Sequence, residues 1–215
     1  MKTIKDYILQ EKLILKKNIN TEHECVDLGL PSGILWATCN IGANNPWETG
    51  DYFAWGETET KQLFTFETYT LFKKNNRGYD TKYNSTDKLT ELEKADDVVY
   101  NMYGEDWEMP AFTDFLELCN NTKMDFIINY KNSKQNGWLF TNKKDSTKFI
   151  FIPAGGKKVA YDLLNYNEDS NYWTNTRNMF KVDEVAYSWG LTKTGKEQDI
   201  NTQRYVGRLV RGIKR

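Results

Sequence analysis

Seven tryptophans, 13 tyrosines and 11 phenylalanines are spread through a chain whose mean hydropathy is -0.73. Chains too polar to collapse are poor in aromatics, so this load predicts a folded core built around a few large rings. The segments between the rings are rich in glycine and asparagine, with 21 asparagines in 215 residues. Regular elements are therefore expected to be short and connections long. The length suits one large domain or two small ones. Charge is balanced, 29 basic against 30 acidic residues, which argues against a nucleic-acid-binding face.

The first residues contain no uninterrupted apolar run. Gln10, Glu11 and Lys12 separate Tyr7-Ile8-Leu9 from Leu13-Ile14-Leu15, so neither a signal-peptide core nor a membrane span of ~18 apolar residues is visible. The expectation is a soluble chain, cytoplasmic at synthesis, with no membrane insertion. Residues 1–23 hold no Gly or Pro, and Ile4, Ile8 and Leu15 fall near one helical face that Glu11 interrupts. They read as an N-terminal extension that either lies against the domain or docks on a partner or sister chain. Cys25, Cys39 and Cys119 are odd in number and widely spaced, which is no disulfide framework. No C-x-x-C pair offers a zinc site. The cysteines are expected to be reduced and packed as small apolar residues; spacing does not decide whether Cys39 and Cys119 bridge.

From Glu24 onward, gly- and pro-punctuated strands are expected. Val26 to Trp36 reads as a strand cut by turns at Gly29, Pro31 and Gly33 and then resumed. Residues 60–86 read as a long irregular stretch with a turn at Asn75-Asn76-Arg77-Gly78. Helical spacing predicts a helix over 87–104 (Leu92, Ala95, Val99, Met102) and another over 112–120 (Phe112, Phe115, Leu116, Cys119). The pair Asp96-Asp97 is expected on a solvated face of the first helix. Trp107-Glu108-Met109-Pro110 is a proline-fixed corner between the helices. Later, 148–152, 185–191 and 208–213 read as strands. The sum is α+β, with antiparallel strands before and after two helices.

Several strings carry a family resemblance: Val26-Asp27-Leu28-Gly29-Leu30-Pro31-Ser32-Gly33, Leu35-Trp36-Ala37-Thr38-Cys39-Asn40-Ile41-Gly42-Ala43, and Gly50-Asp51-Tyr52-Phe53-Ala54-Trp55-Gly56-Glu57-Thr58. In the same order follow Trp107-x-Met109-Pro110, Phe151-Ile152-Pro153-Ala154-Gly155-Gly156, Tyr172-Trp173-Thr174, Arg204-x-x-Gly207 and Val210-Arg211. Together they resemble the Fibrobacter succinogenes major paralogous domain, common in gut Bacteroidetes and their phages, over roughly 24–213. The family is similar to the C-type lectin fold and to the formylglycine-generating enzymes. The resemblance implies a C-type-lectin-like domain (24–215) with paired N- and C-terminal strands, two helices and functional long loops. Two positions depart from the family pattern. Ala111 stands where a capping Thr is common, which Thr113 or Asp114 could offset. Gly212 stands in place of a proline, which is expected to loosen a local edge.

Little in the sequence offers catalysis. His23 is the one His, at the domain's edge, so Ser-His-Asp and Cys-His schemes lack a base. Formylglycine-generating enzymes use cysteines late in the chain, and none follows Cys119 here. The run Pro153-Ala154-Gly155-Gly156-Lys157-Lys158 lacks P-loop spacing and reads as a strand-ending turn. The calcium-lectin triplets Glu-Pro-Asn, Gln-Pro-Asp and Trp-Asn-Asp are absent; Asp51, Glu57 and Glu59 are carboxylates without ligand spacing. No cofactor or metal is expected. Recognition remains. Residues 171–181 and 198–205 mix Asn, Thr and Arg with aromatics, as antibody loops do. In lectin-like proteins of diversity-generating retroelements the loops after the Tyr-Trp motif form the variable face, and the resemblance implies a binding face here. The expected contacts to a protein or glycan on a cell surface are Asn175, Arg177, Asn178, Phe180, Lys181, Gln203 and Tyr205, while Tyr172 and Trp173 are expected in the core. Alanine at Arg177, Phe180 and Tyr205 is expected to spare the melting temperature and weaken binding. Two alternatives are a structural component of a phage virion or surface assembly attached through residues 1–23, and an enzyme of the formylglycine-generating type.

Overall fold

The computed structural model describes residues 23–75, 78–179, 183–195 and 201–215. The readings placed on residues 1–22, on Asn76 and Arg77, on Phe180 and Lys181, and on 198–200 lie outside these.

The turn expected after Leu28 folds the first strand back on itself. β1 (Cys25–Asp27) and β2 (Leu35–Asn40) pair antiparallel, with Val26 opposite Trp36. Between them the Gly33 N–H donates to the Leu30 carbonyl at 3.0 Å, and Gly33 takes φ +76, a turn that Pro31 pre-sets. The stretch expected to be irregular holds a 3-10 turn at Phe66–Thr68 and a hairpin of β3 (Phe72–Asn75) and β4 (Gly78–Thr81). Asn75 pairs with Gly78, the residues on either side of Asn76 and Arg77.

The helix expected over 87–104 is much shorter. α1 runs only over Val98–Tyr103, after a 3-10 turn at Lys94–Asp96. Residues 90–92 are instead held against a later strand: Leu92 N–H donates to Asn175 O at 2.9 Å, and Arg177 N–H to Thr90 O at 2.8 Å. Asp97 then fixes the helix start, its Oδ1 accepting the N–H groups of Val99 (2.8 Å) and Tyr100 (3.1 Å). Asp96 and Asp97 are therefore not a solvated face. Asp96 accepts Lys82 Nζ (2.6 Å) and the Tyr83 hydroxyl (2.5 Å), and Asp97 is buried.

β5 (Trp107–Glu108) leads into α2 (Phe112–Asn121), which matches its expected span. Ala111 has no capping side chain, and Asp114 offsets it: its Oδ2 accepts the Ala111 N–H at 2.8 Å and pairs with Arg215 Nη2 at 2.8 Å. Asp114→Ala is expected to cost about 1 kcal/mol, read as a lower urea midpoint at unchanged slope. An unchanged midpoint would show that Thr176 Oγ1, which accepts the Phe112 N–H at 3.2 Å, holds the helix start without it.

β6 (Thr122–Ile127), β7 (Gly137–Asn142) and β8 (Phe149–Pro153) form one antiparallel sheet, and β9 (Lys157–Val159) pairs with β10 (Asp162–Leu164). β11 (Asp169–Arg177), β12 (Val185–Thr192) and β13 (Asn201–Gln203) form another. The last strand, β14 (Arg211–Lys214), inserts between β2 and β5, so strands from the two ends of the described chain pair. Gly212 is thus in the middle of a sheet and loosens no edge. A Cβ there would lie 2.9 Å from Val99 Cγ1 and 3.3 Å from Trp107 Cε3, space that a larger residue would need. Among the described residues the fold is α+β: antiparallel sheets with two α-helices.

The aromatic load is the core. Trp36, Tyr172, Trp189, Phe115 and Phe140 meet in one cluster, with the Phe115 and Trp189 rings stacked 4.6 Å apart. Trp55, Tyr83, Trp107 and Trp173 belong to a second. After β8, Gly155 and Gly156 serve packing: a Cβ on Gly156 (φ +65) would sit 2.0 Å from Leu164 O. The Ala154 and Gly156 N–H groups donate to Asn136 O and Asp169 O, both at 2.8 Å, so this strand-ending turn is not a phosphate cradle. No disulfide joins the cysteines; Cys25 is exposed rather than packed, and Cys39 and Cys119 are half-buried.

Candidate recognition face

β11 is buried on both sides because its neighbours come from opposite directions. Tyr172 lies opposite Trp189 in the first cluster, and its hydroxyl donates to Pro153 O at 3.2 Å; burial pushes its pKa up to about 12. Trp173 turns to the second cluster and donates its indole N–H to Phe53 O at 2.8 Å. Both are core anchors, as expected.

Beneath the sheet runs a polar layer. Arg208 is wholly buried, donating to Asn171 Oδ1 (3.0 Å) and Thr202 Oγ1 (2.7 Å) with its guanidinium 5.4 Å from the Trp173 ring centroid. Arg204, also 0% exposed, lies 4.6 Å over Trp55 and donates to the carbonyls of Val185, Lys82 and Tyr83. Burial lowers its pKa, yet it stays charged at any physiological pH. Planar guanidinium on an indole face offsets part of the desolvation cost.

The expected contact residues separate into groups. Arg177 is 5% exposed and donates to Asn84 O (2.6 Å) and Asp183 Oδ1 (2.7 Å). Asn178 is buried against the Asn201 side chain, and Asn175 is buried with its backbone N–H on Pro110 O at 2.9 Å. Arg177 and Asn178 sit where the first late connection, 178–184, leaves β11, and Asn178 also ties to Asn201, where the second, 193–200, ends. Arg177 is thus a structural tie whose loss would disturb the sheet, and the expected neutrality of an Arg177 variant is replaced by destabilisation. Gln203 is exposed. Tyr205 is half-buried, packed against both clusters, with Phe66 edge-on at 6.4 Å. Phe180 and Lys181 lie outside the described residues. Met179, which the sequence did not single out, is 57% exposed at the start of the first connection.

His23 stacks on Tyr103 at 3.4 Å and meets Trp107 edge-on; burial lowers its pKa. Of the three carboxylates weighed as metal ligands, Glu57 accepts Thr70 N–H at 2.7 Å and pairs with Lys61 at 2.7 Å. Among the described residues no three His, Cys, Asp or Glu side chains gather around one point, and no helix is long and apolar enough to cross a membrane. No family model, curated protein or solved structure matches this chain.

Proposed function

We propose that the chain is a recognition domain of C-type-lectin-like fold that binds a protein or glycan surface through the connections after β11 and β12. One observation carries this reading. Both connections leave a sheet whose polar underside is locked by buried Arg177, Arg204 and Arg208, while Met179 and Gln203 stand exposed beside them. A rigid base with polar and apolar groups at its rim lowers the ordering cost of binding. The pairing of β14 with β2 supports the fold reading.

Intact Bacteroidetes cells are the first probe. Fluorescently labelled protein should be retained on them, and the double variant Met179→Ala, Gln203→Ala should bind about fivefold more weakly or worse. Its stability should stay within about 0.5 kcal/mol, since both side chains are at the surface. Equal retention of wild type and variant would remove these connections as the contact.

A further inference from the structure

Trp36, Trp55, Trp107, Trp138, Trp173 and Trp189 are buried, and Trp47 is not. It stands on the wall of an open groove of about 440 Å³, with Glu48 and Asp51 from the same loop and Ser133, Gln135 and Tyr166 from two others. We propose that this groove is a second binding site, for a neutral saccharide.

The groove is built on fixed elements. Its loop, 41–51, is closed by Asp51 N–H on Ile41 O at 2.9 Å and by Asn40 Nδ2 on Thr49 O at 2.8 Å. Gly50 takes φ +70, where a Cβ would lie 2.1 Å from Ile41 O. Glu48 braces the loop, accepting the Asn45 side-chain amide and the backbone N–H groups of Asn44 and Asn45; these bonds hold its pKa below the usual range and keep it ionised. Tyr166 lines the same groove with its side chain 46% exposed, and its hydroxyl donates to Gln135 Oε1 at 2.7 Å. Gln135 is buried and fixed in turn by Ala154 O (3.2 Å) and Asn167 Oδ1 (2.8 Å). Both rings therefore flank the groove on supports that exist before any ligand arrives.

The lining defines the ligand class. Trp47 and Tyr166 offer flat apolar faces, which suit the C–H face of a sugar ring. Among the described interactions, the Asp51 carboxylate and the Trp47 indole N–H have no protein hydrogen-bond partner. One is an acceptor, the other a donor, and Ser133 supplies a hydroxyl that is both. A surface alternating donors and acceptors matches vicinal hydroxyls, whereas a bare cation would be served by acceptors only. Among the described residues no basic side chain lines the groove, so an anionic ligand finds no countercharge from them. The volume falls in the usual range for small-ligand sites. The groove shares no residue with the late connections, so either site can fail without the other.

Trp47 is also the reporter. The full chain is titrated with millimolar maltose, cellobiose, lactose and chitobiose while tryptophan emission is followed. At least one disaccharide should give a saturable change. Tyr166→Ala and Asp51→Asn keep the reporter, and each should raise the dissociation constant about tenfold, with thermal unfolding confirming that both variants fold. No saturable response to any of the four sugars would overturn the proposal, as would a response that both folded variants retain. A response to tetramethylammonium and to none of the sugars would also overturn it, making the groove a cation pocket.

Discussion

Arg204→Ala is expected to remove about 3–5 kcal/mol of stability, measured as a lower denaturant midpoint and melting temperature. The side chain is 0% exposed and bridges parts of the chain that are far apart in sequence. Its Nε donates to Val185 O (3.1 Å) at the start of β12; Nη1 donates to Lys82 O (3.0 Å) and Thr81 Oγ1 (3.3 Å), and Nη2 to Tyr83 O (2.9 Å) just after β4. Alanine would leave these acceptors buried without a donor and would open a cavity beside Trp55. Lysine would keep the charge but not the planar fork or the stacking, so Arg204→Lys should recover less than half of the loss. The damage should be local first: amides of 82–84 should exchange faster than those of β6 to β8, which Arg204 does not touch. A loss below about 1 kcal/mol would mean that water replaces the guanidinium cheaply, and the buried polar layer would not be what holds the candidate face.

The parts of this architecture that were legible in the sequence depend on local patterns. Helix α2 was readable because Phe112, Phe115, Leu116 and Cys119 recur on one face and Asp114 can serve its start. The strands around Phe151 and Trp189 were readable because apolar runs and alternation survive without knowledge of partners. The long helix over 87–104 failed for a tertiary reason: residues 90–92 satisfy their backbone groups on β11, a pairing no local window can show. The same limit applies to the site. Arg177 and Asn178 sit in an Asn-, Thr- and aromatic-rich string that looks like a contact loop, yet long-range partners at Asn84 and Asn201 bury them. A signal was available for the buried arginines. Arg204, Arg208 and Arg211 recur through a terminal segment whose other large residues are apolar, in a chain crowded with indole rings that a guanidinium can cover. The Trp47 groove had no comparable signal, because Trp47, Ser133 and Tyr166 come from three separate loops.

Asp97→Ala should cost about 3 kcal/mol, from losing the helix N-cap and stranding a buried donor. One carboxylate oxygen caps α1, and the other accepts the Met109 N–H at 2.8 Å, tying the helix to the proline corner that leads into α2. Asp97→Asn keeps one acceptor for the cap but turns an amide N–H₂ toward the Met109 N–H, so it should cost roughly half as much. The pH dependence separates this aspartate from Asp87. Burial raises the Asp97 pKa above its ordinary 3.8, outweighing the N–H groups of Met109, Tyr100 and Val99. The folded protein therefore binds this proton more tightly than the unfolded chain does. The Asp97 contribution is greatest below pH 3.8 and declines as pH rises through its folded pKa. Asp87 is exposed; the slight desolvation that pushes its pKa up is outweighed by the N–H groups of Leu89, Asn84 and Tyr83, which leave it lowered. Its contribution is present above pH 3.8 and is lost as pH falls through its folded pKa. In acid titrations of stability, the gap between wild type and Asp97→Asn should widen as pH falls, while the gap to Asp87→Asn should close. If both gaps close together, the Asp97 carboxylate is held by its three N–H donors more strongly than burial opposes it, and the tie between α1 and the proline corner is an ionic one.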